Sequence, residues 1–241
     1  MTPPKAHPYL IPAYEPQRLE ALRRYQVLNA EGEDLFELLV AIVARLFNTP
    51  VALLSLVKAE EVEFVGNVGL PGLQAVPRAE SLCSVAILQA GITLYEDLLQ
   101  RPCHLTNPAA AEELNMRFYA GAAMRTAAGL PIGTLCVMDR QPRRFSMAER
   151  LLLDSLAEVA MSLLDVRAAQ PNDLLPALRE GLHGRISQSL DRIGTLADLG
   201  QWEVDDSDEA RVYQQSSLDE AIHLTQLMQQ ELQATLLRLA A

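Results

Sequence analysis

The sequence predicts an α+β fold: an antiparallel β-sheet with its helices segregated to one face, followed by a C-terminal helical hairpin. Three observations carry this. The elements run helix, hairpin, loop, helix, strand, loop, hairpin, helix, an order that builds antiparallel rather than alternating βα structure. Two pairs of apolar runs, Val51–Val57 with Val62–Val68 and Phe118–Arg125 with Ile132–Met138, are joined by short turns. Nowhere does a strand lead into a glycine-rich phosphate loop. On this reading residues 1–16 are an arm, residues 17–168 hold the sheet, and residues 171–241 form the hairpin.

Taken in order, Pro3, Pro4, Pro8 and Pro12 leave the first 14 residues without periodicity, an arm rather than an element. Pro16 suits the first turn of a helix, after which Leu19, Leu22 and Leu28 recur at helical spacing. A second helix is expected from about Glu33 to Phe47, with Leu35, Leu38, Leu39, Ile42, Val43 and Leu46 on one face and Pro50 closing it. The first strand pair follows across Lys58–Glu61. Residues 69–78 are rich in Gly and Pro and predict a loop. Ser81 is placed to cap a short helix through Cys83 and Ile87. Ile92–Glu96 reads as a short strand, and residues 97–116 as loop with one helical turn around Ala109–Leu114. The second hairpin turns through Ala127-Ala128-Gly129. Ser146-Met-Ala-Glu149 is a capping box. It opens a helix whose Leu152, Leu156, Val159, Leu163 and Val166 are spaced like a coiled-coil seam. Beyond Ala168–Asn172, two helical patterns run from Leu174 to Leu196 and from Leu218 to Leu239. The acidic connector 201–209 separates them, and acidic side chains outnumber basic ones in this tail.

Composition bounds the function. Hydrophobic residues at 49% and charged residues at 21% describe a globular chain. A net charge of −11 argues against nucleic acid, which needs clustered Lys and Arg. No signal-peptide pattern and no continuous apolar run of spanning length is present, so no membrane association and a cytoplasmic location are expected. Cys83, Cys103 and Cys136 lack metal-type spacing, so no metal site is expected and the thiols read as reduced and buried.

The wording of the second hairpin, Phe118-Tyr-Ala-Gly121 before the turn and Ile132-Gly-Thr-Leu-Cys-Val-Met-Asp139 after it, resembles the last core strands of a GAF domain, a small-molecule sensing module of bacterial signalling proteins. Phe47–Val57 resembles the entry to that fold's first strand. Val68-Gly-Leu70 with Pro77–Ile87 resembles its middle helix, and Asp139–Ser146 its exit. The resemblance spans roughly residues 17–168. It implies a pocket between the sheet and the helices and loops of residues 69–115, with Phe64, Arg78, Ser81, Cys83, Asp97, Asn107, Arg117 and Tyr119 as candidate liners. Arg78 and Arg117 have two readings: guanidinium forks for an anionic ligand, or anchors for a carboxylate such as Glu80 or Asp97. The tetrad usual in cyclic-nucleotide-binding members is missing.

The resemblance therefore implies a non-enzymatic sensory or regulatory protein with no catalytic residues. A small molecule of unassigned identity would bind in the pocket, and the C-terminal helices would relay its presence to a signalling partner. A homodimer is expected from the seam on the helix after Ser146. Two alternatives stand beside this. One is a thiol-based redox enzyme of the same fold, like free methionine sulfoxide reductase, using Cys83 or Cys103. The other is a bilin photosensor, because Pro102-Cys103-His104-Leu105 resembles a phytochrome attachment sequence. His183, on the first tail helix, reads as a surface residue rather than a phosphoacceptor. No cofactor is assigned.

Overall fold

The computed structural model describes residues 8–26, 33–169, 184–185, 187–195 and 208–240. Six strands form one antiparallel sheet in the order β3-β2-β1-β6-β5-β4: β1 Val51–Val57, β2 Glu61–Val68, β3 Ala75–Pro77, β4 Thr93–Tyr95, β5 Phe118–Arg125 and β6 Pro131–Asp139. Every residue of β1 is buried, because β1 lies between β2 and β6 with both faces covered. That is the reason its residues are apolar but for Ser55. The helices are α1 Glu15–Gln26, α2 Glu33–Leu46, α3 Cys83–Ala86, α4 Pro108–Glu113, α5 Met147–Ala169 and α6 Asp208–Ala240, with a further helical segment at 187–195.

Helices cover both faces of the sheet, not one as the sequence suggested. Ala52, Leu54, Leu56, Ala120, Leu135 and Val137 pack with α2 and α5 into the main core. The opposite face, Val51, Leu53, Tyr119, Cys136 and Met138, packs with α3 and the loops around it. Residues 97–116 contain helix α4, and β3 and a 3₁₀ turn at Arg78–Glu80 occupy the segment expected to be loop. A three-residue edge strand is too short to show a period of two.

The two glycines of the hairpin motif are required by close approach. A Cβ on Gly121 would sit 2.3 Å from the Tyr119 hydroxyl, so the tyrosine ring lies along its own strand over the glycine. A Cβ on Gly133 would sit 2.0 Å from the Ser55 carbonyl oxygen across the β1–β6 ladder. The capping box forms as read: the Ser146 N–H donates to Glu149 Oε2 at 2.7 Å, and the Glu149 N–H to Ser146 Oγ at 3.2 Å.

Leu152, Leu156, Val159, Leu163 and Val166, expected to form a seam between two copies, are all buried within this chain's own core. Ala221, Leu224, Met228 and Leu232 of α6, with Leu190 and Ile193, belong to the same cluster. The tail therefore packs against the sheet-bearing unit, and Gln229 Nε2 donates to Glu158 Oε2 at 2.6 Å. Helix α6 starts at Asp208, well before the apolar pattern at Leu218. Leu28, the first part of the expected hairpin (171–183) and most of its connector lie outside the described residues. The arm also holds structure: Pro8–Leu10 is a 3₁₀ turn and Leu10 is fully buried.

Candidate functional site

Between the sheet and the α3–α4 segment lies a cavity of about 290 Å³. Leu53, Tyr119 and Met138 form its sheet wall. Phe64, Leu73 and Val76 come from β2, the β2–β3 connection and β3, Ser81 and Cys83 from the entry to α3, and Ala111, Leu114 and Met116 from α4 and the turn after it. The lining is apolar apart from Glu80, Ser81, Cys83, Glu113 and Tyr119, and it contains no cationic side chain.

The sequence places Cys83 at the start of a helix because Ser81 can turn the chain there. Ser81 Oγ accepts from the Cys83 N–H at 3.3 Å. The Cys83 sulfur then lies 3.8 Å from Cys136 Sγ and accepts from the Tyr119 hydroxyl at 3.7 Å. Beside them Ser55 Oγ and Thr134 Oγ1 share a hydrogen bond of 2.7 Å, both side chains fully buried. This polar cluster interrupts an otherwise apolar face. The Cys136 hydrogen bond, opposed by burial and helped by Ser55, Thr134 and Tyr119, brings the Cys83 thiol down to about 6. The same contact, with burial, pushes the Cys136 thiol up. Burial above all, with the charge of Cys83, raises the Tyr119 phenol.

Of the eight residues expected at the site, Phe64, Ser81, Cys83 and Tyr119 line the cavity. The other four are engaged elsewhere. Arg78 is buried in an ion cluster with Glu15 and Arg18: Arg78 Nη1 donates to Glu15 Oε1 at 2.5 Å and Nη2 to the Leu10 carbonyl at 2.7 Å. Arg18 donates to both oxygens of Glu15, at 2.7 and 2.8 Å, and to the Val57 carbonyl. The partner of Arg78 is therefore Glu15, not Glu80 or Asp97. Burial raises the Glu15 carboxyl, but the hydrogen bonds and charges of the two arginines outweigh it and hold the group below its usual range.

Arg117 and Asp97 pair through two hydrogen bonds of 2.8 and 2.6 Å, the anchoring alternative of the sequence reading. Asn107 caps α4, its side chain accepting from the Ala109 N–H. Cys103 is buried with Leu10 and Val85 in a separate cluster away from the cavity, and His104 is exposed. That arrangement does not offer Cys103 to a ligand in the cavity. His183 lies outside the described residues. The liners missed by the sequence reading, such as Leu53, Leu73, Val76 and Met138, carry no signal that separates them from core residues.

No metal-holding group of His, Cys, Asp or Glu occurs among the described residues, and no described helix is long and apolar enough to cross a membrane.

Residues 31–164 match the family model of the GAF domain. The chain is 33% identical over 192 residues to a cyclic di-GMP phosphodiesterase of Pseudomonas aeruginosa. That alignment takes in 77% of this chain and 32% of the relative, so the chain spans about a third of the relative's length. The relative is named as an enzyme, and this overturns the expectation that the chain is non-enzymatic. Among solved structures, the chain is similar to the GAF domain of a phosphoenolpyruvate-protein phosphotransferase from Acinetobacter, at 20% identity and a TM-score of 0.44, covering 64% of this chain and 93% of that one. It is also similar to the type II free methionine-R-sulfoxide reductase of Thermoplasma acidophilum, at 16% identity and a TM-score of 0.46, covering 55% and 90%.

Proposed function

The chain belongs to the GAF domain family, and on that premise we propose that it is a regulatory input unit for cyclic di-GMP hydrolysis, governed by a small molecule held in the cavity. The observation that carries the reading is the cavity itself, which lies near the lower end of the size range of small-molecule sites, roughly 300–1,000 Å³. Its lining sets the ligand chemistry. Without a cation in the wall, and with Glu80 and Glu113 among the liners, it suits a compact, largely apolar molecule that is neutral or positively charged. An anionic nucleotide would find no partner there. The likeness to a cyclic di-GMP phosphodiesterase supports the choice of the activity under control.

The route of the signal follows from the packing. Leu53, Tyr119 and Met138 touch the cavity, while their strand neighbours Leu54, Ala120 and Val137 pack in the core that holds α5. Helix α6 rests on α5 and leaves Leu227 and Leu237 exposed for a partner. A ligand that favours one arrangement of the sheet and α5 would shift the population seen at α6.

Native mass spectrometry of the full chain purified from its host tests this. A compound released only on denaturation is expected, and Ala111→Trp, which fills the cavity, should abolish its retention. Cellular cyclic di-GMP should change on expression of the wild-type chain and not of the variant. No retained compound, together with an unchanged cyclic di-GMP level, would overturn the proposal.

A further inference from the structure

Two of the three cysteines meet at the cavity wall. Cys83 lines the cavity from helix α3, and Cys136 stands behind it on β6, their sulfurs 3.8 Å apart and both thiols free. From this geometry we propose that Cys83 and Cys136 are an oxidant-responsive dithiol, a modification site that a hydroperoxide entering the cavity converts to an intramolecular disulfide. The inference needs the cavity but not the ligand or the cyclic di-GMP connection proposed above.

Core filling alone does not account for the surroundings. Tyr119, Ser55 and Thr134 bring hydroxyl groups to the sulfurs on a face that is otherwise apolar. Such donors stabilise a thiolate, which is the nucleophilic form of the residue. Cys103 has one hydroxyl partner, Tyr95, but no second thiol beside it among the described residues; it sits with Leu10 and Val85 and does not line the cavity.

The chemistry balances with one hydroperoxide. The Cys83 thiolate attacks the terminal peroxide oxygen and the O–O bond breaks. The departing oxygen leaves as alcohol or water after taking a proton, and Cys83 becomes a sulfenic acid. The Cys136 sulfur then attacks Cys83, the S–O bond breaks, and the hydroxide leaves as water with the Cys136 proton. Two thiols are oxidised to a disulfide by two electrons, and the peroxide is reduced by two. A dithiol reductant reverses the change.

Closing the bond brings the sulfurs from 3.8 Å to about 2.05 Å. Strand β6 is held by β1 on one side and β5 on the other, whereas α3 has only four residues. The movement therefore falls on α3. Cys83 moves toward Cys136, and the cavity changes shape at that wall.

The test is intact-mass and peptide-mapping mass spectrometry of the full chain treated with hydrogen peroxide. Loss of the mass of two hydrogens is expected, with the Cys83 peptide joined to the Cys136 peptide, and dithiothreitol should restore the starting mass. After unfolding, only Cys103 should take up iodoacetamide. Cys103→Ser should still lose two hydrogens, and Cys83→Ser should not. A disulfide involving Cys103, a stable gain of two oxygens at Cys83, or an unchanged native protein would each overturn the proposal. The wild-type map decides the question even if a cysteine variant folds poorly.

Discussion

Glu15 is the point at which the arm, α1 and the sheet are tied together, and its replacement by glutamine is the sharpest test of how they hold. Its two oxygens accept four hydrogen bonds, two from Arg18 and two from Arg78, whose side chains are 0% and 1% exposed. Glu15→Gln keeps the shape but removes the charge, and it turns one acceptor oxygen into a donor facing two donors. Each bond to a charged group contributes about 1.5–3 kcal/mol, so losing two suggests roughly 3–6 kcal/mol. The carbonyls of Val57 and Leu10 still hold one nitrogen of each arginine, and Glu15 keeps a little solvent contact. The expected loss is therefore about 3–5 kcal/mol, the usual result of breaking a buried pair from one side. That is a large share of a typical total of about 5–15 kcal/mol. Urea unfolding at neutral pH measures it. Glu20→Gln provides the control, because its pair with Arg23 is largely exposed and should contribute nothing measurable. A loss below about 1 kcal/mol for Glu15→Gln would refute the claim that this cluster is buried and charged.

The same group sets an acid dependence. Its folded pKa is lowered, so its stabilisation is fully present above the unfolded value near 4.5 and is lost as pH falls through the folded value; a stability-versus-pH series should be flatter in this window for Glu15→Gln than for wild type. Gly133→Ala should be more damaging than Gly121→Ala, because the first new Cβ meets backbone and the second the end of the Tyr119 side chain. Gly121→Ala is expected to cost about 1–3 kcal/mol by overpacking, read by thermal unfolding, and to change Cys83 alkylation by displacing Tyr119. Ser146→Ala should cost about 1 kcal/mol through loss of the cap on α5, measured by urea unfolding. Met228→Ala, buried between α6 and the main core, should cost about 2–5 kcal/mol in the same assay if the tail shares that core, and close to nothing if it is a separate module.

The sequence by itself determined what depends on neighbours along the chain. Helix α2 follows from its periodicity, strand β1 from its apolar run, the Phe118–Asp139 hairpin from its Gly129 turn, and the start of α5 from the reciprocal bonds of Ser146 and Glu149, three residues apart. The family was legible in the same way, because Gly121 and Gly133 record close approaches that leave a local motif. Half of the expected liners, Phe64, Ser81, Cys83 and Tyr119, were reached through that family resemblance, which puts the pocket between the sheet and residues 69–115. Tertiary structure alone decided the rest. The partner of Arg78 is Glu15, 63 residues away, and the partner of Cys83 is Cys136, 53 residues away; no spacing rule connects either pair. The stripe on α5 looked the same whether it was to meet a second copy or its own sheet and α6. Leu53, Leu73 and Met138 likewise read as core whether or not a cavity opens beside them. Periodicity reports that a side chain is removed from water, whereas which surface removes it is set by how distant segments close upon one another.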